Sequence, residues 1–329
     1  RTTEKGIHYL NGIPVHRTDF GRDSVFGFST SDLAKWIEEK SFGKIQAEKI
    51  LHIEIKQLEI AFNNEEGFIS LLSFLSELEN NISVVVDAKL PHHLETLARA
   101  IKVVSKEKRF LFRTAASFIN SLSGLPTNPK STADLVSLKS KNNQFKYKPG
   151  LIMVGSHVKL ATDQLEFLLK DNSCKGLEIP VSKLADIFAS EDCKKLILDL
   201  EDKILSKIDN ILYTKKIPVL YTTREEMKFS SHSTRMKYGL ELAEFMAILV
   251  GKISNKFGYI ISKGGITTQL LLQRGLNFNQ VILKGQILPG LSIVQSNSDQ
   301  NNLPVVTFPG NLGNEKTLLE SFRLMEFDS

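Results

Sequence analysis

The chain is 329 residues long, 42% apolar and 24% charged, a balance that excludes disordered and fibrous classes and a length that suggests two domains at about 150 residues each. Its 42 Lys and Arg against 37 Asp and Glu leave a net charge of +5, mixed along the whole length, which reads as a solvated surface and supports neither a nucleic-acid nor a membrane partner. Cys174 and Cys193 have no CxxC spacing, so neither a disulfide framework nor a zinc site is expected and a reducing, cytoplasmic setting fits; no apolar run reaches the roughly 20 residues of a membrane span, and no signal-peptide pattern is present.

The chain opens on Arg1 rather than Met and reads as cut from something longer. Its first stretch, "RTTEKGIHYLNGIPVHRTDFGRD", predicts a β-hairpin with Asn11-Gly12 as the turn. In "TSDLAKWIEEK" Leu33, Trp36 and Ile37 share one helical face behind a Ser31 cap, which predicts Trp36 in the core. "GFISLLSFLSELENN" has apolar residues at helical spacing and predicts a helix. From Val84 to Thr114 the order is strand, helix, strand: "ISVVVDAKL", "HHLETLARAIKVV" and "RFLFRTAASF" predict a βαβ unit and hence a parallel sheet. The Pro-, Ser-, Asn- and Lys-rich stretch between Gly124 and Gly150 predicts a linker over 126–149. Beyond it "GLIMVGSH", "IPVLYTTR" and "FGYIISKGG" predict strands, and "KLATDQLEFLLKD" and "YGLELAEFMAILVGKI" predict helices. Strands and helices alternate without an internal repeat. The fold class is therefore α/β in two domains, an open parallel-sheet, Rossmann-like amino-terminal domain over 1–125 and a second α/β domain over 150–329.

Ligands of open α/β sheets bind beyond the carboxyl ends of the strands. Three such ends, Val154-Gly155-Ser156, Tyr221-Thr222-Thr223-Arg224 and Ser262-Lys263-Gly264-Gly265, could share one site. Gly264-Gly265 followed by Ile266-Thr267-Thr268 has the composition of an anion site: glycine admits close backbone approach, the next helix offers free N–H groups, and threonine hydroxyls add donors. It is also the composition of a plain strand-to-helix turn with Thr267 as the cap, and it matches neither GxxxxGK[ST] nor GxGxxG. The tail "VVTFPGNLGNEKTLLESF" repeats the device, with Pro309-Gly310-Asn311 and Gly313 between a strand and a helix, and favours the anion reading. Pro289-Gly290 in "LKGQILPG" reads as a plain turn. The histidines show no metal spacing, and His92-His93 reads as the solvated start of a helix. Asp19, Asp23 and Asp87 are the acids of interest; Asp87 ends the strand Val84-Val85-Val86, where a carboxylate is either functional or a helix cap. No Ser-His-Asp arrangement stands out.

These residues resemble a known family. "SKGGIT", "KGQILPG" and "VVTFPGNLG", with "VGSH" and "VLYTTR" upstream, are similar to the carboxyl-terminal nucleotide-binding domain of the four-carbon acid sugar kinases, in their longer subfamily. "GIHYLNGIPVHRTDFGRDSVFGFSTSDLAKWIEEKSFGKI", "VVVDA" and "FLFRTAASF" are similar to the later portion of that family's sugar-acid-binding domain. The resemblance implies phosphorylation of a sugar acid such as threonate, erythronate or an oxo derivative, with ATP and Mg2+. It carries the ATP contacts onto Ser156, onto Gly264, Gly265, Ile266 and Thr267, and onto Gly310, and assigns no metal ligand. The family's Asp-Asp-x-Thr-Gly and Arg-Ser-Asp-Ser segments, expected to bind the acid and supply the base, are absent and would lie before Arg1. Catalytic and substrate-binding residues are therefore unassigned, and the amino-terminal domain is expected to be incomplete. Leu270 stands where longer members carry an acid. The alternative is a truncated, non-catalytic nucleotide-binding relative, whose uncovered sheet edge would favour a homo-oligomer. A basic nucleic-acid binder with steeply salt-dependent affinity ranks last.

Overall fold

The computed structural model describes residues 1–23, 26–124, 131–144, 146–224, 231–297 and 302–326. They form two compact units, Arg1–Thr127 and Asn128–Ser329.

In the first unit β1 (Thr2–Glu4), β2 (Ile7–Leu10) and β3 (Ile13–Pro14) make an antiparallel sheet. Lys5-Gly6 and Asn11-Gly12 join them, all four at positive φ, the backbone of two-residue turns that match the twist of the strands. The second turn is the predicted one; the first leads with lysine and carries no Asn or Asp signal. α1 (Leu33–Lys40) starts at Asp32, whose carboxylate accepts from Ala34 N and Lys35 N. Ser31 is not the cap: it is buried, with its hydroxyl against His16. Nor is Trp36 in the core; α1 fully buries none of its residues, and the Arg113 guanidinium lies 4.5 Å from the indole centre.

β4 (Leu51–Ile53), α2 (Ile55–Asn63), α3 (Glu65–Glu77) and β5 (Val84–Val86) follow, then α4 (Pro91–Val104) and α5 (Ala116–Ser123). β4 and β5 pair in parallel, and Ile53, Leu58, Leu71, Leu97, Ile101 and Phe118 fill the core beside them. A parallel pair was expected, but with "RFLFRTAASF" as its second member. That segment forms no strand, and Leu111 within it is fully exposed. Extended backbone becomes a strand only where a neighbour takes up its N–H and C=O groups, and none of the described strands lies beside it.

The second unit holds α6 (Thr132–Val136), β6 (Gly150–Val154), α7 (Lys159–Leu169), β7 (Cys174–Ile179), α8 (Val181–Ala189), α9 (Cys193–Tyr213), β8 (Ile217–Thr222) and α10 (His232–Ile253). β9 (Tyr259–Lys263), α11 (Gly265–Leu270) with a wider π-helical turn to Gly275, β10 (Val281–Leu288), β11 (Leu291–Ser296), β12 (Val305–Phe308) and α12 (Thr317–Glu326) complete it. Its seven strands lie in the order β10-β11-β12-β9-β6-β8-β7. The five from β12 to β7 are parallel, and β10 and β11 add an antiparallel hairpin turned at Pro289-Gly290. β6 and β9 are buried along their whole length, as a parallel strand covered on both faces must be, and this explains the apolar sequence of β6 and of Tyr259–Ile261 in β9, which then closes on two buried polar residues, Ser262 and Lys263. Alternate residues of β6 enter opposite cores. Leu151 and Met153 pack toward α8, α9 and α10, while Ile152 and Val154 pack toward α6, α7 and α12. The stretch expected as a linker contributes to this unit: Leu135 and Val136 of α6 are buried, Leu135 within the second of these cores. Among the described residues no helix is long and apolar enough to cross a membrane.

Candidate functional site

Strand order and helix side together locate a crevice. α7 after β6 and α12 after β12 pack on one face, whereas α10 after β8 and the helical stretch after β9 pack on the other. β6 lies between β8 and β9, and β9 between β6 and β12. Neighbouring strands thus send their chains to opposite faces, and at such a switch point the carboxyl ends part and leave room for a ligand. Ser156, Gly264 and Gly310 are the residues just beyond β6, β9 and β12.

Short contacts bring these three together. Gly155 N donates to Lys263 O at 3.1 Å and Gly264 N to Phe308 O at 2.9 Å, tying the three loops side by side. Gly264 has φ +121°, outside the range of L side chains, and a Cβ there would lie 3.1 Å from Thr267 Oγ1 and 3.4 Å from Ser156 N. A Cβ on Gly310 would come within 2.6 Å of Ser156 Oγ. At Gly264 the backbone conformation itself requires glycine, whereas at Gly310 an added Cβ would have to displace the Ser156 hydroxyl. Gly265 differs: nothing lies within 4 Å of the corresponding point, so its Cα faces open space. The loop beyond Gly310 is held by Gln164 of α7, which is fully buried and donates to Leu312 O at 3.0 Å and Asn314 O at 2.6 Å.

The threonines divide. Thr267 is buried and pressed against the backbones of Gly155 and Gly264. It does not cap the helix, whose first position, Gly264, has no side-chain cap. Thr268 turns inward and donates to Ser262 O and Oγ, so only the backbone and Thr267 face the glycine pair. Ile266 is half exposed. It lines a cavity of about 210 Å³ with Gly155 and Thr267 on one side and Met236, Leu240 and Met246 of α10 on the other. A larger groove of about 360 Å³ runs between α8 and α9, lined by Lys183, Asp186, Asp199 and Lys203, and touches none of these strand ends.

Two cations border the same crevice. Lys263, the last residue of β9, is completely buried. Its Nζ lies 3.3 Å from Pro309 O and 3.2 Å from Gly310 O, and 3.9 Å from the centre of the Phe308 ring. Burial, and then the charge of Arg224, bring its pKa down to about 7. Arg224 donates through Nε and Nη2 to Thr162 Oγ1 and through Nη2 to Ser156 O at 2.6 Å; burial lowers its pKa as well. His157 Nε2 and Thr222 Oγ1 are 3.0 Å apart at the rim. No carboxylate lines the cavity, and among the described residues none pairs with Lys263 or Arg224. Sequence reasoning placed Lys263 and Arg224 at strand ends that could share one site but gave neither a role, although a lysine two residues beyond the apolar run "YII" was a usable signal.

The acids and histidines of the first unit are engaged in its own architecture. Asp87 is buried, accepts from Lys5 N at 2.7 Å and Gly6 N at 3.0 Å, and lies 3.1 Å from His52 Nε2. It anchors the first hairpin turn and does not cap a helix. Asp23 accepts from Phe26 N, and Asp19 is exposed. His93 is not solvated: it is buried and 2.6 Å from Glu59 Oε1, which also lies 3.0 Å from His92 Nε2. These three could be grouped as metal ligands. However, His93 Nδ1 accepts from Lys89 N and Leu90 N, which places the ring proton on Nε2 and turns that atom into a donor to Glu59. The hydrogen bonds to His93, and then to His92, hold the Glu59 carboxyl below the usual carboxylate range.

Comparison with known proteins agrees with this division. Residues 1–122 match the sugar-binding N-terminal domain family and residues 151–318 the nucleotide-binding C-terminal domain family. Among solved structures, a Salmonella typhimurium LT2 protein provisionally named a tRNA synthase is 15% identical, with 100% of this chain and 71% of that one covered and a TM-score of 0.61. A Haemophilus influenzae protein of a family of unknown function is 16% identical over 99% of this chain and 70% of its own, at a TM-score of 0.53. A Bordetella bronchiseptica protein with a domain of unknown function, solved with bound citrate as a domain-swapped dimer, is 15% identical over 99% and 68%, at 0.44. At such identities the likeness concerns the fold alone. No curated protein matches the chain significantly.

Proposed function

Because the chain belongs to the family that joins a sugar-binding amino-terminal domain to a nucleotide-binding carboxyl-terminal one, an arrangement that fits the four-carbon acid sugar kinases, we propose that it transfers a phosphoryl group from ATP to a four-carbon sugar acid. The observation that carries the nucleotide half is the convergence of Ser156, Gly264 and Gly310 at the switch point of the parallel sheet, with Gly265 facing open space. Backbone N–H groups there can approach phosphate oxygens without side-chain obstruction. Ile266 and Thr267 would lie beneath the nucleotide, and the apolar wall of Met236, Leu240 and Met246 offers a surface of the kind a purine base packs on. Phosphoryl transfer asks mainly for positioning and for cancellation of phosphate charge, and Mg2+ bound to the phosphates would supply part of the latter. The first unit would hold the sugar acid.

Calorimetric titration of the chain with ATP and Mg2+ tests the nucleotide half; absence of binding heat, or heat unaltered by Gly264→Val, would refute it. Coupled phosphorylation assays over threonate, erythronate and their oxo derivatives test the reaction. Binding of ATP with no turnover on any of these acids would support the alternative, a nucleotide-binding relative without catalysis.

A further inference from the structure

The arrangement around Arg224 is unbalanced. Thr162 and Ser156 hold the guanidinium through Nε and Nη2, but Nη1 is buried and has no hydrogen-bond partner among the described residues. A buried, oriented and idle donor on a cation is costly unless something completes it. Lys263 shares the deficit: it is fully buried, its ammonium is met by two carbonyls at more than 3 Å and an aromatic face, and the charged group that faces it is another cation, Arg224. The two sit on either side of Ser156, because Arg224 bonds the Ser156 carbonyl and Lys263 bonds Gly310, whose Cα abuts Ser156 Oγ. A multiply charged anion at Ser156 would answer both shortfalls. A neutral ligand would answer neither.

We propose that Arg224 and Lys263 form the polyphosphate-binding pair of this site, Arg224 Nη1 donating to the outer phosphates of the nucleotide and Lys263 neutralising them from beneath the Pro309–Gly310 loop. The inference rests on the nucleotide reading and adds to it two residues and a direction: base toward α10, phosphates toward β9 and β12. Arg224 suits the role because its planar fork is already fixed by two of its nitrogens. Lys263 contributes a second signature. Its ammonium is easily lost while the site is empty, and a phosphate beside it favours the charged form, so binding draws a proton from solution. Arg224 is the charged group that acts on Lys263, and Tyr221 faces Arg224 in turn; the neighbouring cavity under α10 adds His157 and Arg235.

The test compares ATP, inorganic triphosphate and adenosine by calorimetry on the full chain, with Arg224→Gln and Lys263→Met each confirmed as folded by circular dichroism. Each variant is expected to lose about ten- to a hundredfold in ATP affinity while adenosine affinity changes by less than about twofold, and triphosphate should compete with ATP on the native chain alone. Titrations near pH 8 in buffers of different ionisation heat should show uptake approaching one proton per ATP, absent in Lys263→Met and present in Arg224→Gln. The pairing is overturned if folded variants bind ATP as the native chain does, or lose ATP and adenosine equally. If the native chain binds no ATP, the nucleotide reading itself fails and the pairing fails with it; native binding with indifferent variants removes the pairing alone.

Discussion

Replacing Lys263 by methionine isolates the energetic consequence of a buried ammonium. The lysine has an ordinary pKa of 10.5 when exposed and is brought down to about 7 in the fold, chiefly by burial and secondarily by Arg224. Below about pH 7 both folded and unfolded chains carry the proton, and the folding penalty is constant and at its largest. Between about 7 and 10.5 the unfolded chain holds a proton that the native one has released, so native stability rises with pH, by about 1.4 kcal/mol per unit. From about pH 7.5 to about 9.5 the native chain should therefore gain about 2 to 3 kcal/mol relative to Lys263→Met, in which this position no longer titrates. Screening reduces this little, because Lys263 is fully buried. Urea unfolding followed by circular dichroism at the two pH values, without nucleotide, reads the difference directly. Methionine keeps the length of the chain and removes the charge, so the variant should be the more stable protein at pH 7.5 and lose that advantage as pH rises. If the two proteins run in parallel across this window, Lys263 is an ordinary lysine and the electrostatic account of the crevice is wrong.

Gly264→Val places a side chain at φ +121° and against Thr267 Oγ1 and Ser156 N, at a strain of about 1 to 3 kcal/mol; melting temperature should fall and the heat of ATP binding should vanish, and unchanged values would show that the loop is not held as described. Asp87→Ala leaves Lys5 N and Gly6 N without their acceptor and should lower the stability of the amino-terminal unit by about 2 to 4 kcal/mol in urea, whereas a loss below about 0.5 kcal/mol would refute its anchoring role. Cys174 is buried, with its thiol pushed up to about 12, while Cys193 is partly exposed. A native thiol titration should therefore count one reactive cysteine and a denatured one two; two fast native reactions would contradict the packing. Glu59 has a lowered pKa through His93 and His92, so the stability it contributes is present above the usual carboxylate pKa and is lost as pH falls through the lower folded value. Glu59→Gln should flatten the acid limb of the amino-terminal unit's pH–stability curve, and an unchanged limb would refute the linkage.

Part of the second unit was legible along the chain, β6 and the start of β9 as apolar runs and α7 and α12 as helical stripes, whereas β7, α8 and the long α9 were not read from it. The glycine pair and the Pro309–Gly310 turn were legible too, since backbone at positive φ or at close approach tolerates few residue types. Sequence left undecided what the glycines are for, and local spacing could not decide it. Their meaning depends on which strands are neighbours and which faces the following helices take, and both are set by tertiary packing. The same holds for Lys263 and Arg224, 39 positions apart by their numbers in the chain and opposed only because β8, β6 and β9 lie side by side. The misplaced strand in "RFLFRTAASF" has that cause as well: β propensity describes a segment, but pairing belongs to two. What the sequence determined by itself was therefore the kind of each element and the points where the backbone must bend; what only the tertiary structure decided was which charges meet, because proximity in an open sheet follows strand order and not chain order.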